Sequence, residues 1–139
     1  RLKLARDVYS TLPQSLKEEN LRRQQMYLNV KAVGVDTIVT DGDILPYCGG
    51  LQVISTPGHM PGHISLYAKE FKTLITGDAM TIVDGKLSNA NPKYTLDMPL
   101  ATECIRGFLN FDIQHIICHH GGIFEGNIKD AITKIVSPI

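Results

Sequence analysis

The chain has 139 residues, 43% of them hydrophobic and 20% charged, which is the composition of an ordinary globular domain with its own core. Its 14 basic side chains balance 14 acidic ones, so charge gives no reason to expect a nucleic acid or an anionic membrane as a partner. The sequence contains no apolar run of the roughly 18–20 residues that a membrane-spanning helix needs, and no signal-peptide pattern at its start.

The N-terminal part is predicted to be helical. Residues 1–35 are polar, and apolar residues recur loosely through residues 16–33, which favours a helix interrupted near Pro13. From residue 37 onward β-branched residues become frequent. We therefore divide the chain into an N-terminal helical segment, residues 1–36, and a second domain, residues 37–139. We expect the helical segment to pack on something outside this chain.

The second domain is predicted to have an α/β fold. Short segments rich in β-branched residues are predicted strands, at residues 37–40, 51–55, 63–67, 73–76 and 115–118. Apolar residues at helical spacing predict two helices, one between Asp97 and Leu109 and one between Asn127 and Pro138. Asp97 and Asn127 are the predicted N-caps. The order of strands, helix, strand and helix predicts a sheet packed on helices.

The three cysteines are Cys48, Cys104 and Cys118. Their number is odd and no C-x-x-C pair occurs, which argues against a disulfide framework and favours a reducing, cytoplasmic setting. Each is interpreted as a small packed side chain rather than a nucleophile.

The histidines are concentrated where the chain leaves predicted strands. The first group lies in the segment T-P-G-H-M-P-G-H, residues 56–63, which ends on His63 and contains His59. The prolines and glycines of this segment exclude a helix, so it is predicted to be a tight loop at a strand end. Rigid loops of this kind often carry functional residues. On the residues alone, either histidine is a candidate metal ligand.

Two further candidates follow later strands. Asp78 stands directly after a predicted strand and a glycine, and its two carboxylate oxygens can bridge two cations. His119 and His120 follow the predicted strand 115–118, and because side chains alternate in an extended chain, only one of them is expected to face a shared site. Imidazole and carboxylate ligands suit Zn²⁺, with Fe or Mn as alternatives. Each segment alone is more often an ordinary loop than a metal site. The three segments together, in this order, are much more specific for a metal site.

These three segments resemble the metallo-β-lactamase superfamily, whose members share a pattern near T-P-G-H-x-x-G-H, a later G-D, and a histidine followed by glycine. The motifs span residues 55–122, and the resemblance is expected to cover residues 37–139. Within the superfamily, the sequence pattern of this chain is closest to that of small hydrolases of the glyoxalase II and lactonase type. The resemblance implies the C-terminal half of an αββα sandwich, an α/β layered fold with a mostly antiparallel or mixed sheet and outer helices.

The resemblance also implies roles for individual residues. It favours His59 over His63 as the metal ligand, and it leaves His63 to orient a ligand by hydrogen bond. Asp78 resembles the carboxylate that bridges two metals, and it is the predicted catalytic residue because it holds both ions and can take part in proton transfer. His120 resembles the last ligand. His119 is interpreted as structural or as part of the rim.

The family's upstream H-x-H-x-D-H motif has no counterpart, because no histidine precedes residue 59. The chain is therefore interpreted as a fragment of a longer enzyme that holds two zinc ions, with Fe or Mn as alternatives. Each metal would receive too few ligands from this chain, so metal binding by the fragment is expected to be weak or absent. The inner face of the halved sheet would be open, which predicts self-association through that face.

The predicted activity of the parent protein is hydrolysis of a small-molecule ester, thioester or lactone by a metal-bound hydroxide. The isolated chain is expected to be inactive. Residues 80–96 are interpreted either as the wall of the substrate pocket or as a solvated connecting loop. Two alternatives stay open: a non-catalytic half-domain that acts as an interaction module, and an iron-dependent oxygenase with the same fold.

Overall fold

The computed structural model describes residues 10–31 and 33–137. Contacts within the chain form two compact units, residues 1–38 and 39–139. In the first unit, α1 (Gln14–Leu28) begins directly after Pro13 and ends where the Asn29 amide donates to the carbonyls of the preceding turn. The predicted helix is confirmed over this range but ends at Leu28, short of the predicted residue 33. The part of the prediction within residues 1–9 lies outside the described residues. The division into domains stays a prediction.

The second unit contains eight strands: β1 (Ile44–Leu45), β2 (Leu51–Ser55), β3 (Ile64–Ala68), β4 (Thr73–Gly77), β5 (Met80–Val83), β6 (Lys86–Asn89), β7 (His115–Cys118) and β8 (Gly122–Glu125). Six form one sheet in the order β1-β2-β3-β4-β7-β8, while β5 and β6 form a separate hairpin. All pairings in the large sheet are antiparallel except that of β4 with β7. The predicted α/β fold with a mixed sheet is confirmed.

The parallel pairing of β4 and β7 follows from the segment between them, which contains the hairpin and α2 (Met98–Gly107). The second helix of this unit is α3 (Ile128–Val136), and short 3₁₀ turns cover Pro92–Tyr94 and Phe108–Asn110. Both predicted N-caps are confirmed, because the side chains of Asp97 and Asn127 accept hydrogen bonds from first-turn amides at 2.9 and 3.0 Å.

The core lies between one face of the large sheet and helices α2 and α3. The sheet contributes Leu74 and Ile116, and the helical side contributes Ile105, Phe108 and Ile132, all at most 1% exposed. Burial of each such side chain stabilises the fold by about 1.5–3 kcal/mol. This packing fixes the strand ends to which the candidate metal ligands belong.

One prediction about local structure is wrong, and one of two open interpretations is excluded. Residues 37–40 were expected to form a strand, but the Asp43 carboxylate accepts hydrogen bonds from the Thr40 amide and hydroxyl at 2.7 and 3.1 Å and turns the chain there. The edge position is taken instead by β1. Residues 80–96 are not one connecting loop, because residues 80–89 form the β5–β6 hairpin around Asp84 and Gly85. The other interpretation of this segment, as the wall of a substrate pocket, stays a prediction. Strands β1, β5, β6 and β8 were not predicted.

The sheet face opposite the core carries a row of aliphatic side chains. They are direct partners in the strand register: Val53, Leu66, Ile75, Ile117 and Ile123. Exposure rises along the row from 0% at Val53 to 62% at Ile123. Self-association through this face stays a prediction.

None of the helices in the described part of the chain combines the length and apolarity needed to cross a lipid bilayer.

Candidate metal centre

The loop between β2 and β3 holds His59 against the start of α2. The Asp97 amide donates to the Gly58 carbonyl at 3.0 Å, and the Leu96 amide donates to the His59 carbonyl at 3.3 Å. Gly58 has φ +125°, and a Cβ atom on it would lie 2.4 Å from the backbone nitrogen of Ala101. Only glycine allows this close approach of loop and helix. The loop therefore places His59 rigidly and almost fully buried.

Hydrogen bonds select the tautomer of His59. The Thr95 hydroxyl donates its one proton to the Asn91 carbonyl at 2.8 Å. The same hydroxyl oxygen lies 3.3 Å from His59 Nδ1, so it must accept a hydrogen bond there, and Nδ1 carries the proton. His59 Nε2 then presents a lone pair. It is buried and has no hydrogen-bond partner among the described residues.

The Asp78 carboxylate lies between two histidines. It follows β4, and its Oδ2 is 3.5 Å from His59 Nε2 while its Oδ1 is 3.4 Å from His120 Nε2. Asp78 Oδ1 is also a buried oxygen without a hydrogen-bond partner in the described part of the chain. A buried polar atom without a hydrogen-bond partner destabilises the folded state. Lone pairs of nitrogen and oxygen that converge in this way need a cation or a proton between them.

The spacing of these atoms fits a metal. Ligand atoms about 2.0–2.1 Å from a tetrahedral zinc ion lie about 3.3 Å apart. The two nitrogen–oxygen distances at Asp78, 3.5 and 3.4 Å, are close to that separation. Each carboxylate oxygen faces a different histidine, which is the arrangement of a carboxylate that bridges two cations. The donor set of imidazole and carboxylate suits zinc, iron or manganese.

His119 and His120 lie in the turn after β7, where both are exposed. The expectation that they point in opposite directions is wrong, because their rings are in edge contact with centroids 4.6 Å apart. Strand alternation does not apply to them, since both follow the last strand residue, Cys118. Ligand atoms of His119, His120 and Asp78 lie within 4.8 Å of one another. The tertiary structure therefore brings His119 to the site as well.

His63 lies behind Asp78. Its Nδ1 is 2.8 Å from the Thr56 hydroxyl, and its Nε2 accepts a hydrogen bond from the Asp78 amide at 3.1 Å. Burial lowers the pKa of His63, the nearby His59 lowers it further, and Asp78 and a hydrogen bond with the Thr56 backbone oppose the shift. Because His63 Nε2 accepts from a backbone N–H, it carries a lone pair rather than a proton. Its contact with Asp78 is through the backbone.

His59, Asp78 and His120 are the three ligand candidates that the sequence predicts, and the structure places them side by side. Thr95, which is 36 residues from His59 in the chain, was not predicted. The buried hydroxyl of Thr56 was not predicted either. Threonine in the T-P-G-H segment was a visible signal for the latter. No local pattern identifies Thr95, because only the docking of the loop on the segment before α2 brings it to His59.

The model of the metallo-beta-lactamase superfamily matches residues 5–112, more than three quarters of the chain. The chain belongs to the metallo-beta-lactamase superfamily. The match begins well before residue 37, the predicted limit of the resemblance, and it includes His59 and Asp78 but ends before His120. Proteins of this superfamily generally bind divalent metals, which agrees with the imidazole and carboxylate groups that meet at this site.

The chain is 27% identical over 115 residues to a probable metallo-hydrolase, YflN, of Bacillus subtilis, covering 74% of this chain and 43% of that protein. It is 38% identical over 66 residues to a hydroxyacylglutathione hydrolase of Brucella anthropi, covering 45% of this chain and 25% of that protein. Among solved structures, a metallo-beta-lactamase family protein of Thermus thermophilus matches with a TM-score of 0.60 and 18% identity, covering 93% of this chain and 47% of that one. The chain thus spans less than half the length of these proteins.

Proposed function

We propose that this chain provides part of the active site of a metal-dependent hydrolase, with His59, Asp78 and His120 as metal ligands. One observation carries the proposal. The two oxygens of Asp78 face Nε2 of His59 and Nε2 of His120 at 3.5 and 3.4 Å, and the buried atoms His59 Nε2 and Asp78 Oδ1 have no hydrogen-bond partner in the described part of the chain. A bridging carboxylate between two cations satisfies all of these atoms.

Two cations at this site, zinc in the first instance, would supply Lewis acidity and acidify a water molecule. His59 would bind through the nitrogen that Thr95 leaves unprotonated. Asp78 would hold both cations, take part in proton transfer and keep the two histidine-bearing loops together. His120, with a side chain 68% exposed, would provide the open side of the site, where substrate enters. This chain supplies only one histidine to each cation, so we expect it to bind metal weakly without further ligands.

The proposed substrate is a small molecule with an ester, thioester or lactone carbonyl. The name of the Brucella anthropi relative, a hydroxyacylglutathione hydrolase, supports a thioester as the first compound to test. Among the described residues, the side chains grouped with the Asp78 carboxylate are histidines. Such a site suits attack on a carbonyl by an activated water molecule better than attack by a protein nucleophile. Burial raises the pKa of the Cys118 thiol, which makes this nearby cysteine a poor nucleophile.

The test uses the longest native protein that contains this chain. Metal content is measured by elemental analysis, and hydrolysis is measured on a panel of thioesters and lactones. Asp78→Asn removes the bridging charge with little change in shape, and we expect it to lose at least one metal and most activity. Asp130→Asn is the matched control, because Asp130 is an exposed helix residue paired with Lys134. If Asp78→Asn keeps the metal content and activity of Asp130→Asn, the proposed site is wrong.

The choice between the adjacent histidines is tested separately. The proposal assigns His120 because its Nε2 is 3.4 Å from Asp78 Oδ1, whereas His119 is placed in the cluster without such a pair. We expect His120→Ala to lower metal occupancy more than His119→Ala. The reverse order would transfer the ligand role to His119. Iron rather than zinc in the native protein, together with oxygen consumption, would favour the oxygenase alternative.

A further inference from the structure

A line of buried polar groups runs from the sheet to His63. It consists of the Thr76 carbonyl and the hydroxyls of Ser65 and Thr56, residues that are 0%, 1% and 2% exposed. The Thr76 carbonyl can only accept, so the Ser65 hydroxyl, 3.2 Å away, donates to it. Each hydroxyl has a single proton. The Thr56 hydroxyl, 3.1 Å from Ser65 Oγ, must therefore donate to Ser65.

This direction continues into the imidazole. The proton of the Thr56 hydroxyl is used on Ser65, so Thr56 Oγ1 accepts from His63 Nδ1 at 2.8 Å. Nδ1 is then protonated, and Nε2 carries the lone pair that accepts from the Asp78 amide at 3.1 Å. The opposite tautomer would leave two N–H groups facing each other at Asp78. One carbonyl in β4 thus determines which nitrogen of His63 is free.

The backbone before Asp78 is shaped to admit the ring. Gly77 has φ +56°, and a Cβ atom there would lie 2.9 Å from His63 Nε2. A side chain at residue 77 would therefore push His63 away from the Asp78 amide. The His63 ring and the lack of a side chain at Gly77 together fix the position of the peptide that carries the Asp78 carboxylate.

We propose that His63 is a positioning residue that aims the Asp78 carboxylate, and that the line Thr56–Ser65–Thr76 sets its tautomer. This inference rests on the proposed role of Asp78 as a bridging ligand. His63 does not touch a metal in this arrangement. It holds the Asp78 backbone through Nε2, and the carboxylate oxygens then remain free to face His59 and His120. Supporting hydrogen bonds of this kind commonly change metal affinity about 10–100-fold.

The first test needs no metal and no substitution. In the ¹⁵N-labelled full chain, imidazole ¹⁵N shifts report which nitrogen of His63 is protonated, and a nitrogen–nitrogen coupling across the hydrogen bond reports the contact with the Asp78 amide. We expect protonated Nδ1 and a measurable coupling from His63 Nε2 to the Asp78 nitrogen. Protonation at Nε2, or no coupling, overturns the proposal. These spectra are independent of metal binding, so the proposed function can fail while this result stands.

The second test uses two substitutions of Thr56. Thr56→Val keeps the shape but removes the acceptor for His63 Nδ1, whereas Thr56→Ser keeps the hydroxyl. We expect Thr56→Val to lose the fixed tautomer and about 10–100-fold in zinc affinity, measured by competition with a chelator on the longest native protein. Thr56→Ser should keep both. Equal zinc affinity in the two variants, with the tautomer changed only in Thr56→Val, overturns the positioning role.

His63→Gln supplies a further measurement if Thr56→Val does not fold. Glutamine retains a side-chain acceptor for the Asp78 amide, and His63→Leu does not. Higher zinc affinity in the glutamine variant than in the leucine variant supports the proposal, because only the acceptor distinguishes their interaction with Asp78. Equal affinities contradict it.

Discussion

Thr95→Val is the substitution that most directly tests how the structure prepares His59. The hydroxyl of Thr95 makes two hydrogen bonds: it accepts from His59 Nδ1 at 3.3 Å and donates to the Asn91 carbonyl at 2.8 Å. Valine has nearly the same shape but offers neither. The imidazole proton of His59 would then have no acceptor at Thr95, and the preference for a free Nε2 would be lost.

The expected magnitude follows from these contacts. A hydrogen bond typically contributes about 0.5–1.5 kcal/mol, and Thr95 is only partly buried, so water can replace part of the loss. We expect the free energy of unfolding to fall by about 1 kcal/mol. Zinc affinity should fall more, by about 10–100-fold, because the ligand nitrogen of His59 is no longer selected.

The assay is chelator competition for zinc together with denaturant unfolding, on the longest native protein. Thr133→Val is the matched control, because the Thr133 hydroxyl also donates to a carbonyl four residues earlier, at 2.7 Å, but lies on the exposed side of α3. It should change stability little and zinc affinity not at all. Unchanged zinc affinity in Thr95→Val would show that Thr95 does not select the His59 tautomer.

Three other predictions concern stability and assembly. Gly58→Ala should lower the free energy of unfolding, measured with denaturant, by about 1–3 kcal/mol more than Gly62→Ala does. The reason is that an added Cβ atom would collide with the backbone of Ala101 only at Gly58. Equal losses of unfolding free energy in the two variants would show that the loop can move away from the helix without destabilising the protein. Asp97→Ala should lower the free energy of unfolding by about 1 kcal/mol through loss of the N-cap of α2, and no loss would mean that water replaces the cap. If the chain self-associates through the exposed end of the aliphatic row, Ile123→Lys should lower its mass in light scattering, and a monomeric wild-type chain would contradict the expectation.

The order of elements and the candidate ligands were predictable from the sequence because both depend on short-range patterns. The helical spacing of apolar residues in α2 and α3, with Asp97 and Asn127 at their starts, predicted two helices that the structure confirms. Strands β2, β3, β4 and β7 were predicted from β-branched residues near their observed positions. His59 and Asp78 were noticed because each follows a strand in a glycine-containing loop.

Tertiary structure decided the rest, because it depends on contacts between residues distant in the chain. Strand alternation predicted opposite directions for His119 and His120, but the turn after β7 brings their rings together. The tautomer of His59 depends on Thr95, and that of His63 depends on the Thr76 carbonyl through two hydroxyls. The sequence by itself determined which ligand types lie at the strand ends. Only packing decided which lone pairs point at one another, because hydrogen-bond direction is a property of neighbours in space.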